Sequence, residues 1–282
     1  MERFLVTGAK GDVGEAVMAR LQALDLDVLG VDSPEVHLAN PNTANALLER
    51  TCPTHVIHCA ACRGQEDPEA LWGPETGEAQ VRATRSLAES AAQQRLRFLY
   101  VSSCQVFNGR SREPYSPNAS PDPQTRYGWM HWQGEWAVAE HLEAYQIVRP
   151  GWLYGAKGDD WVVKSWKLLE TGQAVRASAE ETGTPVHVGD LARVIVDLAQ
   201  REIGGVFHVA NTGFCSRWEF LHRVAELRSQ DPARVLAVPQ SDTGWAHCPA
   251  WTVLDCTRTW AAGVPVAASW EDGLRRFINQ WE

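Results

Sequence analysis

The sequence predicts an α/β fold, a doubly wound parallel sheet with helices on both faces, joined to a smaller C-terminal lobe. Three observations predict it. Short apolar runs alternate with segments of helical periodicity along the chain. The first such unit carries a glycine turn between strand and helix. The 282 residues, 44% of them hydrophobic, are enough to bury a large core as one domain or two closely joined lobes. In order, "RFLVTG" reads as a buried strand, "AKGDVG" as the glycine turn, "EAVMARLQALD" as an amphipathic helix and "DVLGVD" as the second strand. Further strands are expected at "THVIHCAA", "RFLYVSS" and "YQIVRP", separated by helices at "NTANALLER", "GEAQVRATRSLAESAAQQ" and the stretch containing "YGWMHWQGEW". Residues 1–150 are expected to form the sheet domain, with 187–202 returning to it, while 151–186 and 203–282 build the smaller lobe. The Pro-, Ser- and Asn-rich connection "NGRSREPYSPNASPDPQTR" has the length of a lid or mobile segment.

Chemistry enters at the glycine turn. "TGAKGDVG" places Gly8, Gly11 and Gly14 after a strand and at the start of a helix. The first permits a tight turn, the second lets backbone amides approach a pyrophosphate, and the third lets helix and strand pack closely. Lys10, Asp12 and Val13 complete this cofactor-binding turn. Asp32 closes the second strand, 24 residues after Gly8, where a carboxylate accepts hydrogen bonds from an adenosine ribose. Together these features describe a Rossmann-type dinucleotide site. Asp32 would repel a 2′-phosphate, so NAD(H) is expected over NADP(H), a preference that Lys10 weakens slightly.

Composition narrows the partners. A net charge of −9 argues against nucleic acid or an anionic membrane, because both reward clustered Lys and Arg. No apolar run approaches the roughly 18 to 20 residues that cross a bilayer, and "MERFLVTG" enters a strand without a signal-peptide pattern. A cytoplasmic location is expected. Seven cysteines, scattered singly apart from Cys59 and Cys62, suit a reducing compartment better than a disulfide framework. His58, Cys59 and Cys62 look like metal ligands, but no second ligand pair accompanies them, and no metal is expected.

At "VTGAKGDVG", "THVIHCAA", "LYVSSCQVFNG", "YGWMHWQGE" and "VRPGWLYG" the chain resembles the extended short-chain dehydrogenase/reductases, the NAD-dependent epimerase/dehydratase superfamily. Within that group it is similar to dTDP-4-dehydrorhamnose reductase and its relatives. "TGTPVHVGDLARVI", "GGVFHVANTGFCSRWEFL" and "TVLDCTRTW" carry the likeness through the second half. The resemblance implies a nicotinamide-dependent oxidoreductase acting on a 4-keto nucleotide sugar. It implies that Ser103 orients the carbonyl, that Tyr127 transfers the proton, and that Cys59, Ala60, Ala61, Arg63 and Pro150 line the cofactor. Four positions depart from the family pattern. The lysine that holds the nicotinamide ribose and acidifies the tyrosine is His131, the supporting asparagine is Gln80, and an aspartate and a tyrosine become Cys104 and Gln105.

The change to His131 bears on the direction of chemistry. Histidine, with an ordinary pKa of about 6.5, is mostly neutral in the cytosol, whereas lysine brings a permanent charge. Without that charge a tyrosine near its reference pKa of about 10 is only about 0.1% phenolate at pH 7 and a poor base for alcohol oxidation. Carbonyl reduction needs the neutral phenol as an acid and is expected to survive. On the same helix Trp129, Trp132 and Trp136 form a stripe suited to packing or to a homodimer interface, with Trp129 also a candidate beside the substrate. Gln105, Trp152, Arg176 and Arg217 are the other expected substrate contacts, aromatic faces serving a base or sugar and arginine a phosphate. Two readings stand: a nucleotide-sugar reductase with an atypical site, and a catalytically degenerate cofactor-binding or regulatory protein of the same fold.

Overall fold

Phe4, Leu5 and Val6 in strand β1 (Arg3–Thr7) are all fully buried, as a parallel strand covered on both faces requires. The computed structural model describes residues 2–32, 38–60, 74–155, 160–244 and 248–281. Ala61, Cys62 and Arg63 lie outside the described residues. Around β1 stand β2 (Asp27–Val31), β3 (His55–His58), β4 (Arg97–Val101), β5 (Gln146–Pro150) and β6 (Gly205–Val209). Among the described residues they form one parallel sheet in the order β6-β5-β4-β3-β1-β2. Strand order reverses beside β1, which opens a crevice outside the carboxyl ends of β1 and β3.

β6 corrects the expected division of the chain. Residues 203–282 were assigned to the smaller lobe, yet Gly205–Val209 pairs in parallel with β5 and extends the large sheet. The preceding helix supplies the crossover that brings it there, as in any strand–helix–strand unit.

The helices are α1 (Asp12–Gln22), α2 (Pro41–Thr51), α3 (Pro74–Gln93), α4 (Arg126–His141), α5 (Trp161–Glu170), α6 (Val188–Ala199), α7 (Arg217–Leu227), α8 (Thr257–Ala261) and α9 (Trp270–Asn279). Side chains alternate across the sheet. Phe4 and Val6 meet Val17 and Leu21 of α1 and Leu191, Val194, Ile195 and Leu198 of α6 on one face. Leu5 meets Leu47 and Leu48 of α2, Leu87 of α3 and Val138 of α4 on the other. A separate core of Trp166, Phe220, Leu221, Val224, Leu274 and Phe277 holds α5, α7 and α9 together. Tyr154 and Trp166 belong to this core and are buried, not ligand-facing.

The long connection before α4 is fastened down. Tyr115 stacks on Phe107 with ring centres 4.1 Å apart and bridges to Leu254, and its hydroxyl donates to Asn108 at 2.8 Å. The lid expected from its composition is, in the structure, a strap packed on the core.

Candidate active site

The glycine turn ends β1 at the crevice. Gly8 has φ +69°, a left-handed conformation, and a Cβ there would lie 2.6 Å from the Ala60 Cα, so only glycine fits. Gly14 packs directly on the Gly8 carbonyl with no room for a side chain. Gly11 stands at the N-cap of α1 and, having no side chain, gives the helix no side-chain cap. The Asp32 carboxylate accepts the Lys10 amide at 2.7 Å and so stands at the rim of the turn. Lys10, Asp12 and Val13 occupy the turn and the first positions of α1, Cys59 and Ala60 follow the carboxyl end of β3, and Pro150 is the last residue of β5.

At the end of β4, Ser103 caps a short 3-10 turn, its hydroxyl accepting the Gln105 amide at 3.1 Å. Thr125 caps α4: its hydroxyl accepts the Gly128 amide at 3.0 Å and donates to the Gln105 side chain at 3.1 Å. Gly128 sits against the Gln105 carbonyl where a Cβ could not fit, so the start of α4 presses onto the turn. That contact sets the Tyr127 hydroxyl against the Ser103 side chain, which pulls the phenol's pKa down. Burial nevertheless dominates and pushes Tyr127 up to about 12, keeping it a neutral phenol.

One helical turn on, the His131 ring stands edge-on to Tyr127, 4.5 Å between centres. It is 2% exposed. Burial pushes its pKa down to about 3, and its Nδ1 pairs with the Tyr100 hydroxyl at 3.1 Å. Its Nε2 is buried with no partner. Gln80 donates to the Ala60 carbonyl at 2.5 Å and so braces the end of β3. His58 is occupied at both nitrogens, by the Thr7 hydroxyl at 2.6 Å and the Thr84 hydroxyl at 3.0 Å. No group of metal-holding side chains occurs among the described residues.

The opposite wall mixes predicted and unpredicted residues. The Gln105 amide donates to Cys248 Sγ at 3.7 Å, and the Arg217 charge acts on the same thiol. The Arg217 guanidinium lies 3.9 Å from the Trp152 ring centre and 4.4 Å from that of Trp161, with Glu181 3.5 Å from its Nε. Trp152 is buried, donates to Thr252 at 2.9 Å, and carries Arg217 on its face. It therefore holds an arginine in place of offering the open stacking surface expected of it. Arg176 is exposed on a short strand and reaches the Asp242 carbonyl at 3.4 Å, so the structure does not bring it to Tyr127. Trp129 is also corrected. Two residues beyond Tyr127, it projects from the opposite side of α4 at 48% exposure, shared with Trp136 at 52%, while Trp132 turns inward. Tyr100, Thr84 and Cys248 went unseen in the sequence. Tyr100 left a signal, because Gly134 in the middle of α4 clears space for its hydroxyl, but Cys248 left none.

A sheet of this order, with a serine at one strand end facing a tyrosine on the next helix and a second lobe with its own core, defines the extended short-chain dehydrogenase/reductase class. The chain belongs to the RmlD substrate binding domain family, which matches residues 2–282. It is 30% identical over 277 residues to a dTDP-4-keto-6-deoxy-D-glucose reductase of Streptomyces niveus, covering 97% of this chain and 95% of the relative. A crystal structure of dTDP-4-dehydrorhamnose reductase from Bacillus anthracis in complex with NADP superposes with a TM-score of 0.91 at 28% identity, covering 99% of both chains. UDP-glucose 4-epimerase from Thermus thermophilus, in complex with NAD, shares the fold at 20% identity, with a TM-score of 0.81 over 99% of this chain and 98% of the epimerase.

Proposed function

We propose that this chain is a nicotinamide-dependent reductase of a 4-keto nucleotide sugar, with NADH preferred over NADPH. The observation that carries it is the Tyr127 phenol set against the Ser103 side chain, beside a buried His131 whose Nε2 has no partner. That nitrogen stands at the family's lysine position and fits a ribose hydroxyl of the cofactor. The uncapped start of α1 and the glycine turn fit its pyrophosphate, and Asp32 fits the adenosine ribose. When bound there, the cofactor would supply hydride to the carbonyl carbon. Ser103 holds the carbonyl oxygen, and Tyr127 donates its proton to that oxygen as charge develops there. A phenol held near 12 is a weaker acid than an ordinary tyrosine but carries its proton at neutral pH, and so little phenolate is present that alcohol oxidation, which needs that base, is disfavoured more than carbonyl reduction. Arg217, gripped by two tryptophans, is suited to a phosphate oxygen of the sugar nucleotide.

The test is reduction of a panel of 4-keto nucleotide sugars with NADH and NADPH, comparing the unaltered protein with Tyr127→Phe. Turnover that requires Tyr127 supports the proposal. Cofactor binding without turnover of any substrate would favour the non-catalytic reading. A homodimer through the Trp129 and Trp136 face of α4 belongs to the same proposal.

A further inference from the structure

Stability alone does not account for the buried ion pair beneath α4. Arg149 of β5 donates to Glu135 of α4 twice, from Nε at 2.8 Å and from Nη2 at 2.6 Å, and both side chains are less than one tenth exposed. The guanidinium also reaches the Pro117 carbonyl of the strap at 3.4 Å and stands 5.1 Å from the Phe107 ring centre. Removing two charges from water is so costly that an apolar pair of similar volume often holds a fold equally well or better. An apolar pair cannot, however, fix a hydroxyl. Ser102, itself buried, donates to Glu135 Oε1 at 2.5 Å, the oxygen that also accepts Arg149 Nε. The ion pair therefore ends on the residue next to Ser103.

The backbone at that point is extended: the Ser102 amide donates to the Val148 carbonyl at 2.7 Å, and Ser103 has φ −150° and ψ 152°. Neighbouring side chains of an extended chain point to opposite sides, so seizing the Ser102 hydroxyl under α4 turns Ser103 the other way. The same turn is tied to α4 a second time. Gly128 presses on the Gln105 carbonyl, and Thr125 donates to the Gln105 side chain at 3.1 Å. Gly128 and Glu135 stand on one face of the helix, two turns or about 10.5 Å apart along its axis. One tie leaves a helix free to pivot, and two remove that freedom. We propose that Glu135 and Arg149 are positioning residues, which act through Ser102 to hold the Ser103 turn in register with Tyr127. Their part in the reaction rests on the function proposed above; the register itself does not.

Ser102→Ala tests this sparingly, because it cuts the link and leaves the ion pair in place. In the reduction assay it should lower kcat about tenfold while the substrate KM and the NADH dissociation constant stay within about twofold, since reacting groups displaced by about 1 Å lose up to about 10²-fold. Glu135→Leu combined with Arg149→Met removes both charges at once; it should match or exceed the unaltered protein in denaturant midpoint and still lose kcat to the same extent. A second reading needs no turnover. In the full chain without cofactor, labelled with 13Cζ-tyrosine and with Tyr127→Phe assigning the signal, Ser102→Ala should move the Tyr127 resonance and leave those of Tyr145 and Tyr154 in place. A stationary Tyr127 signal overturns the proposal, as does an unaltered kcat in Ser102→Ala or in a stable double variant. If the unaltered chain reduces none of the sugars, the proposed function fails and the tyrosine spectrum alone decides the register.

Discussion

The glycine turn and the interior of α4 flank the same crevice and are built by opposite means. The turn uses backbone: Gly8 in a left-handed conformation, Gly14 pressed on its carbonyl, and one carboxylate at the rim. Its parts lie within 25 residues of one another, and their spacing alone marks them. The α4 side uses side chains from β1, β3, α3, β4 and α4, among them Thr7, His58, Thr84, Tyr100 and His131. One region can hold an anion through amides that any residue could supply. The other depends on the proton held by each ring, so small changes of chemistry there have large effects.

The contrast is tested most severely at Tyr127. Tyr127→Phe should lower carbonyl reduction by roughly 10²- to 10⁴-fold, the usual share of a positioned acid, while NADH binding measured by titration stays within about threefold. A comparable loss of binding would mean that the tyrosine supports the fold of the site and not the proton transfer.

Next comes the ion pair beneath α4. Glu135 receives two of the three Arg149 guanidinium nitrogens, at 2.8 and 2.6 Å, and Ser102 at 2.5 Å, with both charged side chains below one tenth exposed. Glu135→Ala strands the guanidinium in the core and should cost about 3–5 kcal/mol in denaturant unfolding. A loss under about 1 kcal/mol would place Arg149 in contact with water.

Acid should act on the side-chain region and spare the turn. Burial holds His58 at about 4 and His131 at about 3, both below the roughly 6.5 of the unfolded chain. Between those values the unfolded state binds more protons, so stability is complete above about pH 6.5 and falls as pH drops toward 3. Each histidine contributes a slope of up to about 1.4 kcal/mol per pH unit. Melts across this window should flatten by one such share in His131→Gln. An unchanged slope would show that the ring is protonated in the folded protein.

The smallest effect is expected at the turn. Asp32→Ala should narrow the ratio of NADPH to NADH dissociation constants about tenfold, near 1.4 kcal/mol, by removing repulsion from a 2′-phosphate. Tighter NADPH than NADH binding by the unaltered protein would contradict the proposed preference directly.

How much of this was legible in the sequence follows the same divide. Strands such as Phe4–Val6 and Val56–Ile57 announce themselves because burial on both faces leaves continuous apolar runs. Gly205–Val209 was assigned to the smaller lobe and not read as a strand of the sheet, because its partner β5 lies more than fifty residues earlier and local pattern does not reach that far. Gly8 and Asp32 could be found by spacing, and Ser103 and Tyr127 through the resemblance carried by "LYVSSCQVFNG" and "YGWMHWQGE". Thr84 and Tyr100 could not, since a threonine on a helix and a tyrosine in a strand are ordinary there until the fold sets them against His58 and His131. Trp152 looked like a ligand platform by type, and only the structure reveals that Arg217 already covers it.

Gly134 carries this dependence into the protein's own history. A glycine inside a helix costs about 0.5–1 kcal/mol relative to alanine, so drift should tend to replace it. A Cβ at 134, however, would lie 2.5 Å from the Tyr100 hydroxyl and 2.8 Å from its ring carbon. Alanine at 134 therefore has to displace the ring that holds His131. Neither residue can be exchanged first without loss, and the pair can change only together or after the histidine has already gone.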